Sequence, residues 1–140
     1  MNLSKNTKLI KVKAGQASGT DAITTDTIDM QGFEGVMIFG SIATANAGNY
    51  AKARQGDNSG MSDGADLAGT KNVPGDNGDS FLIDLYRPSK RYVDVQVVRG
   101  AATITGDIYA LLYDAPRKAP TSQGATIDAE LHVSPAEGTA

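Results

Sequence analysis

The sequence contains no Cys and no Trp, a single His, three Phe and five Tyr in 140 residues. The absence of Cys excludes disulfide frameworks, thiolate zinc sites, iron–sulfur clusters and cysteine nucleophiles, and leaves the redox compartment open. One His, His132, is too few for a His-rich metal centre and gives little to a catalytic triad. Hydrophobic residues make up 40% of the chain but aromatics only 6%, so one core is expected, aliphatic and thin. The longest apolar stretch, residues 35–42 continuing to 45, falls short of the roughly 20 residues a membrane-crossing helix needs. No apolar segment follows Lys5 and Lys8, so no secretory signal is expected. Thirteen Lys and Arg against sixteen Asp and Glu give a net charge of −3, which offers no basic field for nucleic acid. Neither nucleic acid nor a membrane is expected as a partner.

What is present is period-two alternation. Val93, Val95 and Val97 alternate with Asp94 and Gln96, and Phe81, Ile83 and Leu85 form a similar run. Ile104, Ile108, Ala110 and Leu112 form a third inward-facing set. Residues 99–102 read as a short turn joining the 93–97 and 104–112 runs into a hairpin, and Pro88 closes the 81–85 run. A three-strand meander over residues 81–113 is therefore expected. Earlier in the chain, Leu9, Ile10 and Val12 suggest a first strand, Ile28 and Met30 a second, residues 36–42 a third and residues 50–55 a fourth. No window supports a capped amphipathic helix. With a short strand at residues 130–133, the reading is an all-β chain of about eight strands, a β-sandwich or jelly roll. It forms a single β domain over 1–140, with a body at about 9–115, an extended N-terminal arm and a C-terminal arm at about 116–140.

The candidate chemistry is sparse. Asp57, Asn58, Ser59, Asp63, Asp66, Asp76, Asn77 and Asp79 offer hard oxygen ligands in a Gly-rich stretch. Met61 stands where an EF-hand loop counted from Asp57 needs its fifth position, and no Glu closes the loop, so these side chains are read as caps on turns. Asp84 and Asp94 lie on successive predicted strands, but few aromatics are available to wall a pocket that would raise one carboxyl pKa. The glycine clusters at 56–60 and 64–69 lack the GK[ST] tail and following helix of a phosphate loop. No catalytic, cofactor or metal residue is assigned.

The second face of several strands carries more information. Met37, Phe39, Leu82, Tyr92, Tyr109, Leu111 and Tyr113 all fall opposite the residues assigned to the core. A sheet with one wet face should be polar at those positions. These seven are therefore expected to form a subunit interface, with Leu3, Leu131 and Val133 anchoring otherwise polar ends to neighbouring subunits.

Residues 66–70 (DLAGT), 82–100 (LIDLYRPSKRYVDVQVVRG) and 129–140 (AELHVSPAEGTA) resemble the head decoration, or cement, proteins of tailed bacteriophages. That resemblance implies a non-enzymatic β-rich virion protein, made in the bacterial cytoplasm, that binds the outside of an assembled capsid and strengthens it. It further implies the major capsid protein as partner and a homotrimer as the oligomer. No catalytic or ligand motif comes with it. A head–tail connector or tail subunit, forming a closed ring, shares the same size and composition. A calcium-assisted carbohydrate-binding sandwich is the alternative of another class, and the missing Trp counts against it.

Overall fold

A computed structural model describes residues 2–115, 120–134 and 136–139. After one helical turn, α1 (Leu3–Asn6), the chain forms eight strands of three residues or more: β1 (Lys8–Lys13), β2 (Gln16–Gly19), β5 (Gly35–Ser41), β6 (Asn49–Gly56), β8 (Ser80–Tyr86), β9 (Tyr92–Arg99), β10 (Thr103–Thr105) and β11 (Ile108–Tyr113). Three two-residue strands, β3 (Ile23–Thr24), β4 (Ile28–Asp29) and β7 (Ala65–Asp66), complete the set among the described residues.

Two antiparallel sheets carry the body. The first, sheet A, has the order β1-β11-β5-β8; the second, sheet C, runs β3-β9-β6-β7, with β4 also paired to β9. β10 and β2 form a separate ribbon, sheet B. One face of each sheet contributes to a common core: Val12, Val36, Ile38, Phe81, Ile83, Ile108, Ala110 and Leu112 from sheet A, and Ile23, Ile28, Ala51, Ala53, Val93, Val95 and Val97 from sheet C. The protein is an all-β sandwich. Ala51 and Ala53 pair across strands with Val97 and Val95, so a small residue beside a β-branched one keeps the aliphatic layer thin.

Strand existence and inward faces follow the alternation, but several pairings do not. The hairpin expected between 93–97 and 104–112 is absent, because β9 lies in sheet C while β11 lies in sheet A, with β10 paired to β2 between them. The meander over 81–113 fails for the same reason: β8 pairs with β5, and β9 with β6. Alternation specifies which side chains face a core but not which of two sheets supplies the neighbour. Ile104 is half exposed, whereas Thr103 and Thr105 are buried. The Thr103 hydroxyl accepts the Thr44 N–H and the Thr105 hydroxyl that of Gln16, so burying these hydroxyls does not leave them unpaired.

The ends also depart from expectation. The N-terminus makes a helical turn instead of an extended arm. The C-terminal segment lies against that turn and the free edge of β1: Thr121 donates to Lys5 O, Gly124 to Leu9 O, and the Gln123 amide takes the Leu9 N–H while donating to Ser4 O and Thr7 O. This covers one edge of sheet A. Residues 130–133 form no strand. Pro116, Pro135 and Ala140, parts of the expected arm, lie outside the described residues.

Candidate functional site

The strand register places the outward side chains of sheet A in rows. Lys11, Tyr109, Phe39 and Leu82 form one row across β1, β11, β5 and β8; Leu9, Leu111, Met37 and Asp84 form the next. Tyr113, Gly35 and Tyr86 form a third. Six of the seven residues predicted to face a partner, Met37, Phe39, Leu82, Tyr109, Leu111 and Tyr113, therefore stand on one continuous face four strands wide. Tyr92 does not join them, because β9 belongs to the other sheet, where the ring carries the Arg91 guanidinium 5.1 Å from its centre.

The upper row is aromatic and apolar. The Phe39 and Tyr109 rings stack with centroids 5.9 Å apart. Lys11 flanks Tyr109 but is bound to Asp107 at 2.7 Å, which holds the ammonium pKa up and the carboxyl pKa down through their shared hydrogen bond. Leu82, at 53% exposed, marks the β8 side of the patch. In the middle rows, Met37, Leu111 and Tyr113 line a groove of about 600 Å³ whose other wall is Leu3 and the following turn. Leu3 and Leu82 are exposed and Met37 and Leu111 half-buried, so this side of sheet A presents apolar surface where a wet face would be polar.

Its lower corner is built differently. The hydroxyl end of Tyr113 lies over Gly35, where an added Cβ would overlap the ring. From there Tyr113 donates to the Asp84 carboxylate at 2.6 Å, crossing β5 to reach β8. Tyr86 reaches back, its hydroxyl 3.5 Å from the Asp114 carboxylate, and the two rings are nearly parallel with centroids 6.4 Å apart. Burial, followed by the neighbouring Asp84, pushes the Tyr113 phenol up to about 12. The strand ends are stitched at this corner: Glu34 N–H donates to Asp114 O and Arg87 N–H to Glu34 O. Arg87 and Asp114 both leave their strands at left-handed φ, 53° each. The Arg87 guanidinium binds Glu34 at 2.8 Å and lies 5.3 Å from the Tyr86 ring centre.

The other sequence candidates disperse. Asp84 is exposed on sheet A, and Asp94, 1% exposed, is held by the Arg54 guanidinium on sheet C, so the two carboxylates do not form a pair. In the Gly-rich loop, Asp63 accepts the N–H groups of Asp57 and Asn58, which hold its carboxyl below the usual range. Asp79 accepts from Asp76 N–H, Asn58 from Gly60 N–H and Asn77 from Ala45 N–H, while Asp66 and Asp57 bind Lys52 and Lys90. Among the described residues, no three acidic or His side chains gather where they would hold a metal. His132 is exposed against Glu130. Among the arm residues, Leu3 at 61%, Leu131 at 45% and Val133 at 82% exposure are presented to solvent.

Sequence reading missed Gly35, Tyr86 and Leu9 as members of the face. Leu9 was legible, since it is two residues from outward Lys11 on β1. Gly35 carried no signal, because its role depends on a tyrosine 78 positions later.

No protein-family model matches the chain. No curated protein matches it either. Among solved structures, it is similar to the crystal structure of YomS, an SPBc2 prophage-derived protein, with a TM-score of 0.50 and 12% identity over 78% of this chain and 94% of that one. At that identity the likeness is one of fold.

Proposed function

We propose that this chain is a non-enzymatic structural protein of a tailed-phage virion that docks on the outer surface of the capsid through the outward face of sheet A. The observation that carries the reading is the pair of adjacent apolar rows, Leu9, Leu111 and Met37 in one and Tyr109, Phe39 and Leu82 in the other, on the side of the four-stranded sheet away from the core. Two supports stand beside it: the resemblance to head decoration proteins in residues 66–70, 82–100 and 129–140, and a similar fold in a prophage-derived protein. The partner is the major capsid protein, and the docked form is a homotrimer in which Leu3, Leu131 and Val133 contact neighbouring subunits.

The mechanism is thermodynamic. A subunit that binds only the expanded shell stabilises that state by mass action. Repetition over the lattice adds retention beyond each single contact. A calcium-assisted glycan module would need the loop carboxylates as ligands, yet Asp63 and Asp79 are taken by backbone N–H groups and Asp66 by Lys52.

Co-sedimentation with undecorated, expanded capsids tests the reading. Wild-type protein should pellet with the shells, and Phe39→Asp or Leu111→Asp should remain in the supernatant while still folded, because each would bury an unpaired charge at the interface. A wild-type protein that never pellets with capsids, or variants that pellet as well as wild type, would overturn it.

A further inference from the structure

We infer that the Tyr86–Tyr113 corner of sheet A receives an arginine side chain from the docking partner, an inference that rests on the reading of this face as a docking surface. The corner is complementary in charge to a cation. Glu34, Asp107 and Lys11, which border the same face, are matched within the chain, Glu34 by Arg87 and Asp107 by Lys11. Asp84 and Asp114 make no salt bridge among the described residues; Arg87, which is bound to Glu34, acts on Asp114 only at longer range. Asp84 accepts one neutral hydroxyl and Asp114 one long contact from another, which leaves most of their acceptor capacity to solvent. When an apolar partner covers the rows above them, that solvent is displaced, and two carboxylates at the border of a desolvated patch require a cation.

Arginine fits the corner better than lysine. The two carboxylates lie at the hydroxyl ends of two nearly parallel rings, so a planar group resting on the aromatic surface meets acceptors at its edge. A guanidinium stacks and forks in this way, whereas an ammonium is a compact, strongly hydrated point charge. The surface already accommodates one guanidinium: Arg87 lies over Tyr86 while its Nε donates to Glu34. The partner's arginine would occupy the Tyr113 side, between Asp84 and Asp114. Tyr113, held over Gly35 and fixed by its bond to Asp84, offers a preorganised surface for it.

The experiment titrates isotope-labelled protein at low salt with N-acetyl-arginine amide, using the neutral isostere N-acetyl-citrulline amide as control, and follows backbone amide resonances. The arginine probe should shift the Gly35, Asp84, Tyr113 and Asp114 amides saturably, and the citrulline probe should not. In Asp84→Asn/Asp114→Asn, which keeps the Tyr113 acceptor and a residue tolerant of left-handed φ, the apparent affinity should fall by roughly threefold to tenfold. Equal response to both probes, shifts confined to other surfaces, or an undiminished response in the double variant would overturn the inference. Capsid co-sedimentation of the same wild-type sample reports separately: arginine binding at the corner without capsid binding sinks the docking reading and leaves the corner's chemistry standing.

Discussion

Tyr113 crosses the sheet over Gly35, whose missing side chain is what allows the phenol of β11 to reach Asp84 on β8. Any side chain at position 35 closes that path. Gly35→Ala should therefore turn the Tyr113 ring outward, breaking its hydrogen bond and its stacking with Tyr86. A loss of about 1 to 2 kcal/mol in urea-unfolding stability is expected, with the sandwich itself retained.

The Tyr113 phenol supplies a pH signature. Its folded pKa, about 12, lies above the ordinary value of 10.0, because burial and then Asp84 disfavour the phenolate. A group raised on folding contributes stability that is complete below its unfolded pKa and is lost as pH rises through the folded one. Stability should hold to about pH 10 and decline from there toward pH 12. Tyrosinate absorbance should show one of the five tyrosines titrating late. In Asp84→Asn that late step should move down, because the carboxylate beside the phenol is gone.

On sheet C, Asp94 depends on Arg54, which donates from Nε at 2.9 Å and Nη2 at 2.6 Å. Arg54→Leu would leave a carboxylate buried without its cation, and a loss of about 3 kcal/mol is expected in thermal or urea unfolding. Adding Asp94→Leu to that variant should recover part of the loss, since removing both charges costs less than stranding one.

The C-terminal segment separates into two parts by its contacts. Thr121, Gln123 and Gly124 bond to Lys5, Thr7 and Leu9, whereas no backbone hydrogen bond ties the described residues beyond Ile127 to the body. Truncation after Ile127 should leave the melting temperature unchanged and weaken capsid attachment by removing Leu131 and Val133. Truncation after Pro120 should also lower the melting temperature, because it uncovers the edge of β1. Differential scanning fluorimetry of the two truncations, with co-sedimentation alongside, checks both statements.

The inward faces were legible in the sequence because alternation is a local property: Val93, Val95 and Val97, or Ile108, Ala110 and Leu112, need only their own neighbours to be read. Pairing was not legible, since β9 and β11 carry the same pattern and sit in different sheets. Parity also slips between Ile104 and Ile108, an even interval in sequence, because the chain changes sheets at Gly106 and Asp107. Buried polar residues were the other blind spot. Asn49 accepts from Ala101 N–H and donates to Thr44 O, and Arg99 donates to the carbonyls of Asp21, Ala17 and Thr103. Ala101, Asp21 and Ala17 lie 52, 78 and 82 positions from the side chains they meet, and nothing in an isolated Asn or Arg announces them. The outward apolar face of sheet A was legible in six of its residues because apolar side chains on a strand's second face break the wet-face pattern wherever they occur. Tyr92 shares that local signal on the wrong sheet, and only the fold separates it from the others.

Electron microscopy of the intact particle tests the central claim most directly, because it reports both where the subunit sits and which face it turns to the shell. The account predicts density for this protein on the outer capsid surface, with Phe39, Leu111 and Tyr109 of sheet A against the major capsid protein or a neighbouring copy. Density at the neck or along the tail, or a decorating subunit whose sheet A faces solvent, would contradict it.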